Sequence, residues 1–240
     1  MRYGLISDIH GNYEALSAAL DFLDKQKIDK YLCLGDIVGY GAEPSRCLAR
    51  VMELGCDVIA GNHDFAAAGK ISVDYFNIFA KESTIWTQEH LTDSEKAILA
   101  APPLVRDYAG FTLAHGSLYM PQAFDYVQTI IDALYSFREL KGQALFIGHS
   151  HVPISFIETD SISFSVSDTV SIEQGKRYII NIGSVGQPRD EDPRSCFAIY
   201  DTDARIARIC RAEYDIASAA KKILEAGLPE INAERLKIGR

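Results

Sequence analysis

The sequence predicts an α/β fold in which two β-sheets pack face to face with helices outside, formed by one domain over residues 1–240. Three observations predict it. In the first sixty residues, short apolar runs alternate with helical stretches, and their starts lie about 26–28 residues apart, the period of a strand-helix-strand unit. In the last third the pattern changes to two-residue alternation with one wet face, the mark of antiparallel strands. No linker, repeat or low-complexity stretch divides the chain.

Tyr3 to Ser7 is the first apolar run, and it stops at Asp8 and His10. Residues i and i+2 of an extended segment point to the same side, so these two should reach one point beyond the strand. Gly11-Asn12 then turns the chain into a helix with Tyr13, Leu16, Ala19, Leu20 and Leu23 on one face. Tyr31 to Leu34 is a second run, followed by Gly35-Asp36 and a helix from roughly Pro44 to Leu54. Asp57 to Ala60 is a third, followed by Gly61-Asn62-His63-Asp64. From Phe65 to Ala100 the spacing is helical, with Trp86 as core and His90 as a surface or packing residue. Thr92-Asp93-Ser94-Glu95 matches a capping box, so a helix should start near Asp93 and stop before Pro102.

Leu104–Tyr108 and Phe111–Ala114 flank Ala109-Gly110 as a hairpin, whose second arm runs into His115-Gly116. An aromatic loop from Leu118 to Tyr126 comes next, then a helix with Val127, Ile130, Ile131, Leu134 and Phe137 on its buried face, stopping at Gly142. Ala144 to Ile147 ends in Gly148-His149-Ser150-His151. Ile154 to Ile180 reads as an antiparallel meander, Cys196–Tyr200 and Arg205–Arg211 as further strands, and Tyr214 to about Ala226 as a final helix.

Charged residues make up 24% and apolar residues 48%, as in a soluble globular protein. No apolar run approaches the ~18 residues of a membrane helix, and the N-terminus carries no signal-peptide pattern. The cysteines at 33, 47, 56, 196 and 210 are odd in number and lack C-x-x-C spacing, which suits packing thiols in a reducing cytoplasm. A net charge of −9 argues against stable nucleic-acid or anionic-membrane binding, leaving a small ligand as the expected partner. Oligomeric state has no signal.

The placement of histidine is the chemical signal. Five of the six (10, 63, 115, 149 and 151) directly follow apolar, strand-like runs, each beside Gly, Asp or Asn. Surface solvation gives no reason for that, whereas a shared metal site does. A nitrogen-and-oxygen donor set without Cys fits Mn, Fe, Zn or Ni. Asp8, His10, Asp36, Asn62, His115, His149 and His151 are more donors than one open site takes. Two divalent ions ~3.5–4 Å apart and sharing a carboxylate would use them, with Asp36 as the natural bridge. The positive surplus of such a site attracts a phosphorylated substrate.

These motifs, Asp8-x-His10, Gly35-Asp36, Gly61-Asn62-His63-Asp64, His115 and Gly148-His149-Ser150-His151, resemble in order and spacing the series of the calcineurin-like metallophosphoesterases. Asn181 to Arg189 extends the similarity to small prokaryotic members, grouped with diadenosine tetraphosphatases and phosphodiesterases of the YfcE type. The resemblance implies a four-layer α/β/β/α sandwich and hydrolysis of a phosphoester by a metal-bound hydroxide, with Mn expected to support activity. It assigns Asp8, His10 and His151 to a first metal, Asn62, His115 and His149 to a second, and Asp36 to both. His63, with Asp64 beside it, would be catalytic: His63 would protonate the leaving oxygen.

Departures from the pattern bear on the substrate. Protein phosphatases of that family carry Gly-Asp-x-Val-Asp-Arg-Gly, where this chain has Gly39 and Tyr40 in place of the Asp and the Arg, and Ala60 replaces an Arg before Gly-Asn-His. A bidentate arginine clamp on a monoester dianion is thus missing at both positions, which favours a diester or small phosphorylated metabolite. Arg189 or Arg194 could substitute, and Asn12, Tyr40, Tyr119 and Phe124 are further candidate substrate contacts, the aromatics by stacking on a base or aryl group. The alternatives are a metal-dependent nuclease and a catalytically silent binding module. The acidic charge counts against the first and the complete ligand set against the second.

Overall fold

Alternation along β1 (Arg2–Ile6) sets the layering. In the computed structural model, which describes residues 1–240, Tyr3 and Leu5 face a core shared by two sheets while Ile6 faces helices. β1 pairs in parallel with β2 (Lys30–Cys33), and β2 with β3 (Asp57–Val58). On its other side β1 meets β11 (Ser195–Asp201) antiparallel, followed by β12 (Ile206–Ala212) and β9 (Thr169–Ser171), giving the order β3-β2-β1-β11-β12-β9. The second sheet has β4 (Val105–Tyr108), β5 (Phe111–Ala114), β6 (Ala144–Ile147), β10 (Arg177–Asn181), β7 (Ile154–Glu158) and β8 (Ile162–Ser165), in that spatial order. Between the sheets lie Leu32, Phe111, Phe146, Tyr178 and Tyr200, with Phe111 edge-on to Tyr200 at 5.3 Å.

Helices cover the outer faces, completing the four layers. α1 (Tyr13–Leu23) and α2 (Pro44–Glu53) set Leu16, Leu20, Leu48 and Val51 against Ile6, Cys33 and Phe197. α6 (Ile130–Glu139) sets Ala133 and Phe137 against Leu145, Ile147 and Ile179 of the second sheet. Each such fully buried large side chain contributes ~1.5–3 kcal/mol. α3 (Asn62–Ala67), α4 (Ile78–His90) and α5 (Asp93–Ala100) follow β3, and Ala67 and Leu99 join the helix-side core of the first sheet. The expected capping box opens α5, with Thr92 N–H donating to Glu95 at 2.8 Å. α7 (Ile216–Glu225) and α8 (Glu230–Ile238) pack on each other, and Lys222 ties α7 to Glu14 and Glu43.

Several elements differ from expectation. α6 starts only after the Thr129 cap, so Val127 precedes it, and Ile130 and Ile131 turn outward at 43% and 66% exposure. The 154–180 meander is divided: β9 crosses to the first sheet and pairs with β12, because alternation specifies faces and not partners. The 65–100 stretch is broken between Ala67 and Ile78. α8 has no strong apolar periodicity and was not expected. Trp86 is half-buried, with the exposed His90 stacked on it at 3.8 Å, and all five cysteines are free. No helix is long and apolar enough to cross a membrane.

Candidate metal centre

The parallel strands β1, β2, β5 and β6 end at one rim of the sandwich, and the loops beyond them carry the clustered side chains. The route to convergence is not the extended one expected from Asp8-x-His10. β1 stops at Ile6, and Asp8 and His10 have φ of +52° and +51°. Asp36, His149 and His151 are likewise left-handed, at +53°, +67° and +61°. Such conformations cost of order 1–3 kcal/mol in a non-glycine residue and persist only where the surroundings hold them. Here Asp8 N–H donates to Gly35 O and His10 N–H to Asp36 O, both at 3.0 Å, stitching one strand-end loop to the next. Gly61 permits a close approach, since a Cβ there would lie 2.1 Å from Asp36 Oδ1.

The hydrogen bonds fix which imidazole nitrogens are free. Nδ1 of His10, His115 and His151 lies against the carbonyls of Val38 (3.0 Å), Leu34 (2.7 Å) and Gln187 (2.6 Å). A carbonyl only accepts, so each Nδ1 carries the proton and each Nε2 of the neutral ring presents a lone pair. Burial lowers the pKa of both His10 and His151, which keeps them neutral. Yet His10 Nε2 and His151 Nε2 face each other at 3.1 Å. Two lone pairs at that distance repel unless a cation lies between them and the carboxylates. Asp8 Oδ1 is 3.2 Å from His151 Nε2, and Asp36 Oδ2 is 3.2 Å from His115 Nε2. The other oxygens are occupied: Asp8 Oδ2 accepts from Ser7 Oγ and His149 N–H, and Asp36 Oδ1 from His63 N–H. Asn62 Oδ1 and His115 Nε2 are buried with no hydrogen-bond partner, as donors awaiting an ion would be.

Donor atoms of Asp8, His10 and His151 lie within 4.8 Å of one another, as do those of Asp36, His115 and His149, so these buried groups could hold divalent metal. A third set at the same spacing is His10, Asp36 and His63, which brings His63 within reach of the cluster as well. The charges follow the geometry. Burial would push the His115 imidazole down, but Asp36 and Asp8 outweigh it and raise it to about 10. Burial likewise opposes ionisation of Asp36, and the histidines around it hold its carboxyl well below the usual range. Burial lowers His149 to about 3 and His63 to about 4.

Comparison with known proteins agrees with this arrangement. Residues 1–205 match the family model described as the calcineurin-like phosphoesterase superfamily domain. The chain belongs to that superfamily. It is 36% identical to an uncharacterized protein of Methanocaldococcus jannaschii, MJ0912, over 98% of this chain and 97% of that one. The crystal structure of a metallophosphoesterase from Sphaerobacter thermophilus superposes with a TM-score of 0.88 at 36% identity, covering 100% of this chain and 99% of that one. The hypothetical protein PH1004 from Pyrococcus horikoshii shares the fold, with a TM-score of 0.83 at 22% identity, covering 100% and 98% of the two chains.

Beside this cluster is a cavity of about 540 Å³, lined by Asn62, His63 and His149 on the side of the cluster and by Tyr40, Phe124 and Tyr126 around it. Of the sequence-derived substrate candidates, Tyr40 and Phe124 line it. Tyr119 does not: it packs on Tyr135, with ring centres 5.4 Å apart. Asn12 is occupied elsewhere, capping α1 through Ala15 N–H and donating to Gly186 O. Neither residue lines the cavity. Asp64 is also not placed to react, because its carboxylate accepts the N–H groups of Ile37 and Val38 at 2.8 and 3.2 Å. It holds the Asp36 loop, and burial together with the Asp36 charge raises it to about 7.

Arg189 is separated from its acidic neighbours. Asp190, Glu191 and Asp192 pair with Arg211, Arg240 and Arg194, whereas Arg189 donates to Gln187 Oε1 at 2.7 Å and keeps a buried, unpartnered Nε. Its guanidinium lies 5.6 Å from the ring of Tyr40, one of the residues that line the cavity. Sequence reasoning missed the supports of the centre. Ser7 and Ser184 fix Asp8, Asn181 donates to Gly148 O at 2.6 Å, and Tyr126 stacks on His149 at 4.1 Å. The Asn181–Arg189 motif was the available signal for Asn181 and Ser184, and the aromatic loop for Tyr126.

Proposed function

We propose that this chain hydrolyses a phosphodiester, or a small phosphorylated metabolite or nucleotide, with two divalent ions, Mn²⁺ being the expected activator. The observation that carries the reading is the set of inward Nε2 atoms of His10, His115 and His151, each ring held by a backbone carbonyl at Nδ1 and gathered with Asp8 and Asp36. Asp8, His10 and His151 would hold one ion, Asn62, His115 and His149 the other, and Asp36 Oδ2 would serve both. Divalent ions at such a site lower the pKa of water bound to them and offset charge on the phosphoryl oxygens. Arg189 would meet one phosphoryl oxygen. His63, kept neutral in the free protein because burial lowers it to about 4, would take up a proton at Nε2 as the anionic phosphate enters and pass it to the leaving oxygen. A single guanidinium beside Tyr40, at the edge of the cluster, matches the one charge of a diester better than the two of a monoester. With a net charge of −9 the partner is a small molecule rather than nucleic acid or membrane, in the cytoplasm.

The test is a hydrolysis panel with added Mn²⁺ comparing mono- and diester aryl phosphates, cyclic nucleotides and dinucleoside polyphosphates, with Asp36→Asn as blank. Faster turnover of diesters, absent from the blank, is the expected outcome. Turnover that persists in Asp36→Asn, or none on any ester despite bound metal, would sink the reading.

A further inference from the structure

We propose that Thr84 is the positioning residue for His63, standing in for the aspartate that this chain lacks at Gly39, and that α8 holds it in place through Asn232. The inference rests on His63 being the proton donor of the proposed reaction.

The geometry around His63 Nδ1 is closed. The Gly39 backbone packs against the ring so tightly that a Cβ there would lie 2.6 Å from Nδ1, and Gly39 has φ +92°. A side chain at position 39 would collide with the ring, so that position cannot supply a carboxylate to Nδ1. The only hydrogen-bond partner of Nδ1 comes from α4: Thr84 Oγ1, fully buried, lies 3.3 Å from it. The same hydroxyl donates its single hydrogen to Ala80 O at 2.8 Å. What remains to offer His63 is a lone pair, so Thr84 accepts and Nδ1 carries the proton. Nε2 is then the nitrogen that exchanges a proton at the cavity. Tyr40 and Phe76 clamp the ring, with centres 4.7 and 4.8 Å from its own.

An independent observation places α8 in the same device. Asn232, fully buried, donates through Nδ2 to Ser83 Oγ at 2.8 Å and faces Tyr40 O at 3.4 Å. Ser83 adjoins Thr84, and Tyr40 belongs to the loop lying on the other side of His63. One amide thus ties the helix that carries the acceptor to the loop that packs the ring. It comes from a helix beyond the residues 1–205 that match the family model. This also explains why α4 buries the polar side chains Ser83 and Thr84, which packing alone would not select.

The experiment compares diesters whose leaving groups differ in basicity, a 4-nitrophenyl ester that departs unaided and an alkyl ester that needs a proton. Thr84→Val keeps the shape and removes the acceptor. It should lower the alkyl-to-aryl rate ratio about 10-fold or more, the scale of losing a group that orients a functional histidine, and Thr84→Ser should restore it. Asn232→Leu should lower the ratio in the same sense by a smaller factor. Nitrogen-15 ring spectra of metal-free protein give a readout independent of turnover: His63 should be the Nδ1–H tautomer in the parent and mixed in Thr84→Val. Equal losses on both esters, or an unchanged tautomer, overturn the role of Thr84. His63→Ala separates the two ideas. A ratio unchanged in His63→Ala refutes the proton donor itself, while a ratio that collapses there and not in Thr84→Val or Asn232→Leu refutes only the positioning device.

Discussion

Removing and restoring metal should change the stability of this fold by an amount that counts the ions. The buried groups divide into Asp8, His10 and His151 on one side and Asp36, His115 and His149 on the other. Without a cation, His10 and His151 oppose lone pairs at 3.1 Å, so the first set is unsatisfied in the metal-free protein. An ion that binds only the folded chain adds about 2.7 kcal/mol at a hundredfold excess over its Kd. For a chain of this length that corresponds to a rise of ~5–11 °C in Tm per ion, and about twice that for two. The assay is calorimetry in EDTA and in Mn²⁺, with metal content measured on the same samples. His151→Ala should retain about half of the shift, His149→Ala the other half, and Asp36→Asn almost none. His63→Ala should retain all of it. A half-sized shift that neither single-site variant reduces would refute two ions, and loss of the shift in His63→Ala would make that residue a ligand.

Two further outcomes follow from the charges. Arg189→Ala should lower kcat/KM on diesters about 10- to 100-fold, the value of a charged hydrogen bond to phosphate, while Arg194→Ala, whose guanidinium is taken by Asp192, should leave it close to the parent value; equal effects would remove Arg189 from the substrate contacts. In EDTA the stability should fall on both sides of about pH 6.5, as followed by urea unfolding. His115, raised from 6.5 to about 10, contributes stability that is complete below the lower value and lost as pH climbs through the higher. His63 and His149, lowered to about 4 and about 3, lose theirs as pH falls from 6.5 through those values. A profile flat from pH 7 to 10 without metal would contradict the His115–Asp36 pairing.

Much of the centre was legible from local signals. The strand-end positions of Asp8, Asp36, Asn62, His115, His149 and His151 follow from apolar runs broken by glycine and polar residues, and the α5 boundary from the Thr92–Glu95 pair. What was misread depended on contacts remote in sequence. The outward turn of Ile130 and Ile131 depends on how α6 sits on the second sheet, and the partner of Thr169–Ser171 lies nearly forty residues later, in β12. Asn12 looked like a site residue because it adjoins a ligand pair, yet its two polar atoms serve Ala15 and Gly186.

The sequence by itself determined the layered α/β class, the superfamily and the inventory of donors, because residue type and short-range periodicity carry that information. Only the tertiary structure decided how the donors meet. The left-handed turns at Asp8, His10, Asp36, His149 and His151, the carbonyls that orient His10, His115 and His151, the reach of Thr84 to His63 and that of Asn232 to Ser83 and Tyr40 all depend on segments far apart in the chain. Backbone strain and hydrogen-bond direction are settled by those distant neighbours, and no local pattern records them.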